Sequence, residues 1–204
     1  QQHIDFAAAL LASLPEAVRA AAHDTHDACA LVFALLLDPK GGPVRKKQLG
    51  QVDKLFSEQM AKATLKLSGE VATLDPRAKL PVADLAIGAL RRMAREQFDS
   101  FTHLLEALAA ADEQIDLFEF SLSKLVIRHL EPHFLKERKK VAQVYSLKRL
   151  DHECSVLISS LACTAGSDDE TIKMAYDAGA AHLASATELN QLPPTECGIH
   201  ELDQ

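Results

Sequence analysis

The stretch "ACALVFALLL", Ala28 to Leu37, runs for ten residues without a charged or hydroxyl side chain. A bilayer crossing needs roughly 20 apolar residues, so a run of about half that length reads as protein interior rather than membrane. A helix that is apolar on all sides belongs at the centre of a core. The reading predicts a central helix over His26 to Asp38, with the rest of the chain arranged around it.

Composition points the same way. A chain of 204 residues can bury one substantial core, alone or with a closely packed extension. Its 48% hydrophobic and 25% charged residues are ordinary for a globular protein. Only 5% are aromatic and none is Trp, while Ala and Leu dominate and β-branched residues are sparse. These propensities predict an all-α, compact multi-helix bundle.

Helix punctuation gives the expected elements. Asp5 caps "FAAALLASL", and Pro15 suits the first turn of "PEAVRAAAH". "DPKGGP", Asp38 to Pro43, is a turn before one long helix over Val44 to Leu67. Asp75 caps and Pro76 opens the next segment, in which Leu85, Gly88, Ala89 and Arg92 share a face; a close helix approach at Gly88 follows. Phe98, Phe101, Leu105 and Leu108 mark an amphipathic helix. Around Phe118, Leu122, Leu125 and His129 the chain is apolar on nearly every side, which predicts a deeply buried helix that Pro132 ends. Two further helices are expected over Leu147 to Ala165 and Asp169 to Leu189, with Ser167 and Glu170 as a capping box. The expected organisation is a helical domain over 1–134, a basic connector over 135–145, and a C-terminal helical extension over 146–204 packed on the same domain.

The net charge of −7 argues against a nucleic-acid partner, which needs a continuous basic stripe. The densest cationic segment, "FLKERKKV" from Phe134 to Val141, has four Lys/Arg and one Glu and reads as a solvated connector. Cys29, Cys154, Cys163 and Cys197 show no C-x-x-C spacing, as expected of free thiols in a reducing compartment. The chain starts at Gln1 without Met and stops in "IHELDQ", a helix-like start, as a piece of a longer protein would.

The stretch "AADEQIDLFEF", Ala110 to Phe120, holds four carboxylates. One reading is structural: Asp116 is an N-cap and Glu119 completes a capping box, with Asp112 and Glu113 solvated. The other makes Asp112, Asp116 and Glu119 hard oxygen ligands for a divalent cation, calcium or magnesium. An EF-hand is excluded, because its glycine position falls on Leu117 and its bidentate glutamate position on Ser123. Acid/base catalysis finds no nucleophile nearby.

"HLEPH", His129 to His133, fails as a zinc-protease motif, since its glutamate is one place late and Pro132 interrupts the helix. His23 and His26 fit a polar turn. Cys197 and His200 form a C-x-x-H fragment without partners. A nucleophile elbow, a phosphate-cradling loop and a dinucleotide fingerprint are all missing, so a non-enzymatic chain is expected.

"LLEALAAADEQIDLFEFSLSKLVIRHLEPHF", Leu104 to Phe134, resembles the TerB-like helical domains named after tellurite-resistance proteins. Those domains carry an acidic turn A-D-G-x-I-x-x-x-E before a buried helix. Asp112, Ile115 and Glu119 match that form, and Glu113 stands at its glycine. Together with "LLASLPEAVRAAAHDTHDACALVFALLLD" and "LPVADLAIGALRRM", the stretch is similar to the C-terminal soluble region of bacterial membrane-bound zinc metalloproteases of the CAAX-prenyl-protease/HtpX type. The resemblance implies a TerB-like domain over about Pro15 to Phe134. It also implies a regulatory or interaction role beside a membrane-embedded protease part of the same chain, with a protein partner or self-association. The location implied is the cytoplasmic side of the bacterial inner membrane. Zinc would belong to the H-E-x-x-H of that other part, and this chain contains no such motif. The alternative implied is a TerB-like divalent-metal-binding stress-response module.

Overall fold

The computed structural model describes residues 12–109, 111, 117–135, 146–166, 168–183, 189–197 and 199–202. Among them the chain is helical without a strand, and it divides into two compact units, Gln1–Arg138 and Lys139–Gln204.

In the first unit the uncharged run forms the central element. Helix α2 (Thr25–Leu35) is buried from Ala28 onward on every side, and Leu31, Val32 and Phe33 are sealed completely. Around it pack α1 (Glu16–His23), α4 (Glu58–Val71), α5 (Lys79–Leu90) and α6 (Arg95–Ala109). Helix α3 (Gly42–Leu55) lies against α4 and α6, and α7 (Leu117–Phe134) lies against α5 and α6. The Phe33 ring meets Phe56 edge-on at 5.4 Å and Phe101 at 5.2 Å, while Phe98 stacks on Phe134 at 4.5 Å. Such pairs contribute about 1 kcal/mol each beyond the area they bury.

The turns follow from their residues. Asp24 breaks α1 from α2, and its Oδ1 accepts the amides of His26 (2.9 Å) and Asp27 (3.0 Å) as an N-cap. Gly41 and Gly42 both adopt positive φ, 76° and 78°, which only glycine takes without strain, so "DPKGGP" reverses the chain there. The buried amide of Gln48, 2% exposed, locks this turn. Its Nε2 donates to Leu36 O (2.8 Å) and Leu108 O (3.2 Å), and its Oε1 accepts from Asp38 N (2.8 Å).

Four expectations are corrected. The segment Val44 to Leu67 is two helices, because Ser57 caps a new start by accepting the amide of Met60 at 3.1 Å, and Phe56 turns its ring to Phe33. Gly88 is exposed, and a β-carbon there would have nothing within 4 Å; the buried face of α5 is instead Val82, Ala83, Ala86, Ile87, Ala89 and Leu90. Pro132 does not end α7, which continues to Phe134. That helix is also one-sided: Leu122, Val126 and Leu130 are sealed along one stripe, while Phe118, Leu125 and Ile127 are only partly buried and His129 is exposed.

The second unit is built on α8 (Asp151–Cys163) and α9 (Asp169–Ala181), with the short α10 (Ile199–Leu202) against α8. Ile158, Ala162 and Tyr176 form its buried centre. A β-carbon at Gly179 would stand 3.0 Å from Ile158 Cγ2, so glycine permits the close approach of α9 to α8. The cap of α9 is Asp168, which accepts the amide of Thr171 at 2.8 Å. This hydrogen bond holds the Asp168 carboxyl below its ordinary range. The capping serine expected here, Ser167, lies outside the described residues, as does the Asp5 cap.

Candidate functional site

Where α2, α4 and the α5–α6 junction converge, the first unit has a half-open cavity of about 370 Å³. Cys29, Met60 and Met93 line it from buried positions on three separate segments, with Phe56 half-buried beside them. His26, Arg92 and Gln97 line it from exposed positions. The apolar wall is therefore rich in sulfur, a polarizable surface that adapts to varied side chains.

The Cys29 thiol donates to Met93 Sδ at 3.6 Å. Burial above all, and then the negative charge of Asp24, push this thiol up to about 12. Since the thiolate is the nucleophile, Cys29 stays protonated and unreactive at neutral pH. Arg92 fixes the cavity's rim. Its Nη2 donates to His23 O at 2.6 Å and its Nε to Thr25 Oγ1 at 3.4 Å, and Thr25 Oγ1 donates to Ala89 O at 3.2 Å. The guanidinium thereby ties the end of α5 to the α1–α2 break.

One group of possible metal ligands occurs among the described residues: Asp24, His26 and Asp27, with their ligating atoms within 4.8 Å of one another. All three are exposed, and their geometry is that of the α2 cap, with His26 Nδ1 3.0 Å from Asp27 Oδ1. Capping accounts for the arrangement.

Of the acidic turn singled out by the sequence, Asp112 and Asp116 lie outside the described residues. Glu119 sits in the first turn of α7, where its carbonyl accepts Ser123 Oγ at 2.8 Å. His129 and His133 are both exposed; His129 Nδ1 lies 3.7 Å from Asp84 Oδ1, and His133 meets the Phe134 ring edge-on. His23 and His26 flank the polar break as expected. The cavity itself was not expected. Its only local sequence signal was the placement of Cys29 on the central helix, because Met60 and Met93 reach it from distant segments.

No family model, curated protein or solved structure matches this chain. No helix among the described residues is long and apolar enough to cross a membrane.

Proposed function

We propose that this chain is a non-catalytic interaction domain, serving as the regulatory region of a membrane-bound zinc metalloprotease of the CAAX-prenyl-protease/HtpX type. In this reading the cavity between α2, α4 and the α5–α6 junction receives an apolar side chain of a protein segment, from the membrane-embedded part or from a substrate. The observation that carries the reading is the sulfur-lined wall with its protonated Cys29. Thioethers and a neutral thiol offer an adaptable apolar seat, whereas a nucleophile would need the opposite shift in pKa. The resemblance of Leu104 to Phe134 and its companion segments supports the choice of parent protein.

Two measurements test it. The complete reading frame should carry an H-E-x-x-H flanked by transmembrane helices, and a frame without one overturns the parent assignment. Met93→Gln, which keeps side-chain size but makes the wall polar, should weaken capture of the membrane-embedded part by the full-length regulatory region several-fold. Unchanged capture, with helix content intact by circular dichroism, overturns the role of the cavity.

A further inference from the structure

In the second unit, one face of α8 receives a strap formed by residues 189–197. Ser155 Oγ accepts the amide of Asn190 at 3.1 Å, and Ser159 Oγ accepts that of Leu192 at 3.0 Å. Ser160 Oγ donates to the carbonyl of Cys197. All three serines are buried, at 3%, 1% and 7% exposure. Three buried hydroxyls therefore hold this backbone against the helix, and Leu189 packs beside them on the Ile158, Ala162 and Tyr176 cluster. One turn further along, at the last residue of α8, Cys163 brings its Sγ to 3.8 Å from Cys197 Sγ. The two cysteines are 34 residues apart in sequence, so no spacing motif announces them.

We propose that Cys163 and Cys197 are a reversible disulfide site that locks the strap onto α8 under oxidation by a peroxide. The sulfurs are in van der Waals contact, and bonding requires them to close to about 2.05 Å. Both residues lie at element ends, Cys163 closing α8 and Cys197 following the 3₁₀ turn Pro194–Glu196, where side chain and backbone have more room to adjust than within a helix. Cys163 is half-buried and Cys197 is buried, with its thiol donating to Pro193 O at 3.3 Å. Burial first, and the contact with Cys163 second, push Cys197 up to about 11. Cys163 is thus the sulfur that meets the oxidant.

The steps balance. The Cys163 sulfur attacks one peroxide oxygen as the thiolate, breaking the O–O bond to give Cys163 sulfenic acid, and the proton it gave up joins the departing hydroxide as water. Held against Cys163 Sγ, the Cys197 sulfur attacks it as its proton passes to the departing hydroxyl, so that the S–S bond forms and a second water leaves without a free Cys197 thiolate. Two thiols lose two electrons in all, and one hydrogen peroxide gains them. A dithiol reductant reverses the bond by exchange. Cys29 and Cys154, both buried, take no part.

The test treats the full chain with hydrogen peroxide and reads it by thiol counting, peptide mass mapping and hydrogen exchange. Free thiols should fall from four to two, and the linked peptide should join Cys163 to Cys197. The amides of Asn190 and Leu192, whose acceptors are the two serines, should then exchange at least tenfold more slowly, and reduction should restore the original rate. Cys163→Ser and Cys163→Ala should each keep their three remaining thiols and show no change in exchange. Four thiols retained, a sulfinic acid at Cys163 beside a free Cys197, or a different pairing overturns the site. A correct pairing without slower exchange at Asn190 and Leu192 overturns the lock.

Discussion

Cys29 shows how much one position on a central helix can be made to do. Burial pushes its thiol up to about 12 from an ordinary value of 9.0. A group whose folded pKa is raised contributes fully below the unfolded value, and the contribution is lost as pH rises through the folded one. Stability should therefore decline between about pH 9 and 12. Cys29→Ala should flatten much of that decline in denaturant midpoints measured across the range, leaving the part due to Cys197 and Tyr176, which burial also raises. An unchanged slope would mean that Cys29 is not shielded. Asp24, next to it in space, has a separate duty as the α2 cap. Asp24→Ala should cost on the order of 1 kcal/mol, while Asp24→Asn, which keeps an accepting oxygen, should cost much less. Equal losses in the two variants would assign the effect to charge rather than to capping.

At the scale of the helix, the sequence was most legible where a pattern is local. The uncharged run announced α2, the Asp75-Pro76 pair announced the start of its 3₁₀ turn, and Phe98, Phe101, Leu105 and Leu108 announced the buried face of α6. It was least legible where a distant partner decides. Nothing local distinguishes Ser57 as a cap from a serine inside a helix, because the break there is fixed partly by Phe56 reaching Phe33. Gly88 invited a close-packing reading through its neighbours Leu85 and Ala89, yet it faces outward. The apolar residues of α7 were too many for its one buried stripe, and only the positions of α5 and α6 select which of them are sealed. The cavity shows the same limit, since Cys29 and Met93 lie 64 residues apart. One consequence is testable. With no atom near its missing β-carbon and a helical position on α5, Gly88→Ala should stabilise the chain by about 0.5–1 kcal/mol. A destabilised variant in urea titration would restore the close contact that the structure lacks.

Among the described residues, the two units hold cores of very different size. The first unit seals residues from seven helices, from Val18 to Leu130, whereas the second has a cluster of three, Ile158, Ala162 and Tyr176, with a fringe of partly buried neighbours and with Cys154, Val156 and Cys197 buried outside it. Small cores leave little margin over conformational entropy. Tyr176, one of the chain's two tyrosines, lies in the buried centre of the second unit, and the chain has no Trp. In a Tyr145→Phe variant, tyrosine fluorescence therefore reports on that unit through Tyr176, while far-ultraviolet ellipticity reports mainly on the first. The fluorescence midpoint should come at lower urea than the main loss of ellipticity. Coincident transitions would mean that the units unfold as one cooperative body.

The buried amide of Gln48 carries a consequence for the order of assembly. Its three hydrogen bonds join the end of α2, the turn at Asp38 and the end of α6, segments that meet only after the chain between residues 36 and 108 has closed. A contact that depends on three segments at once forms after the nucleus rather than within it. Gln48→Leu leaves two carbonyls and one amide without their partner, a loss on the order of 3 kcal/mol. That loss should fall almost wholly on the unfolding limb of a chevron plot, with the refolding rate nearly unchanged. A refolding limb slowed in proportion would place this clasp at the start of folding, and the central helix would then acquire its neighbours through Gln48 instead of before it.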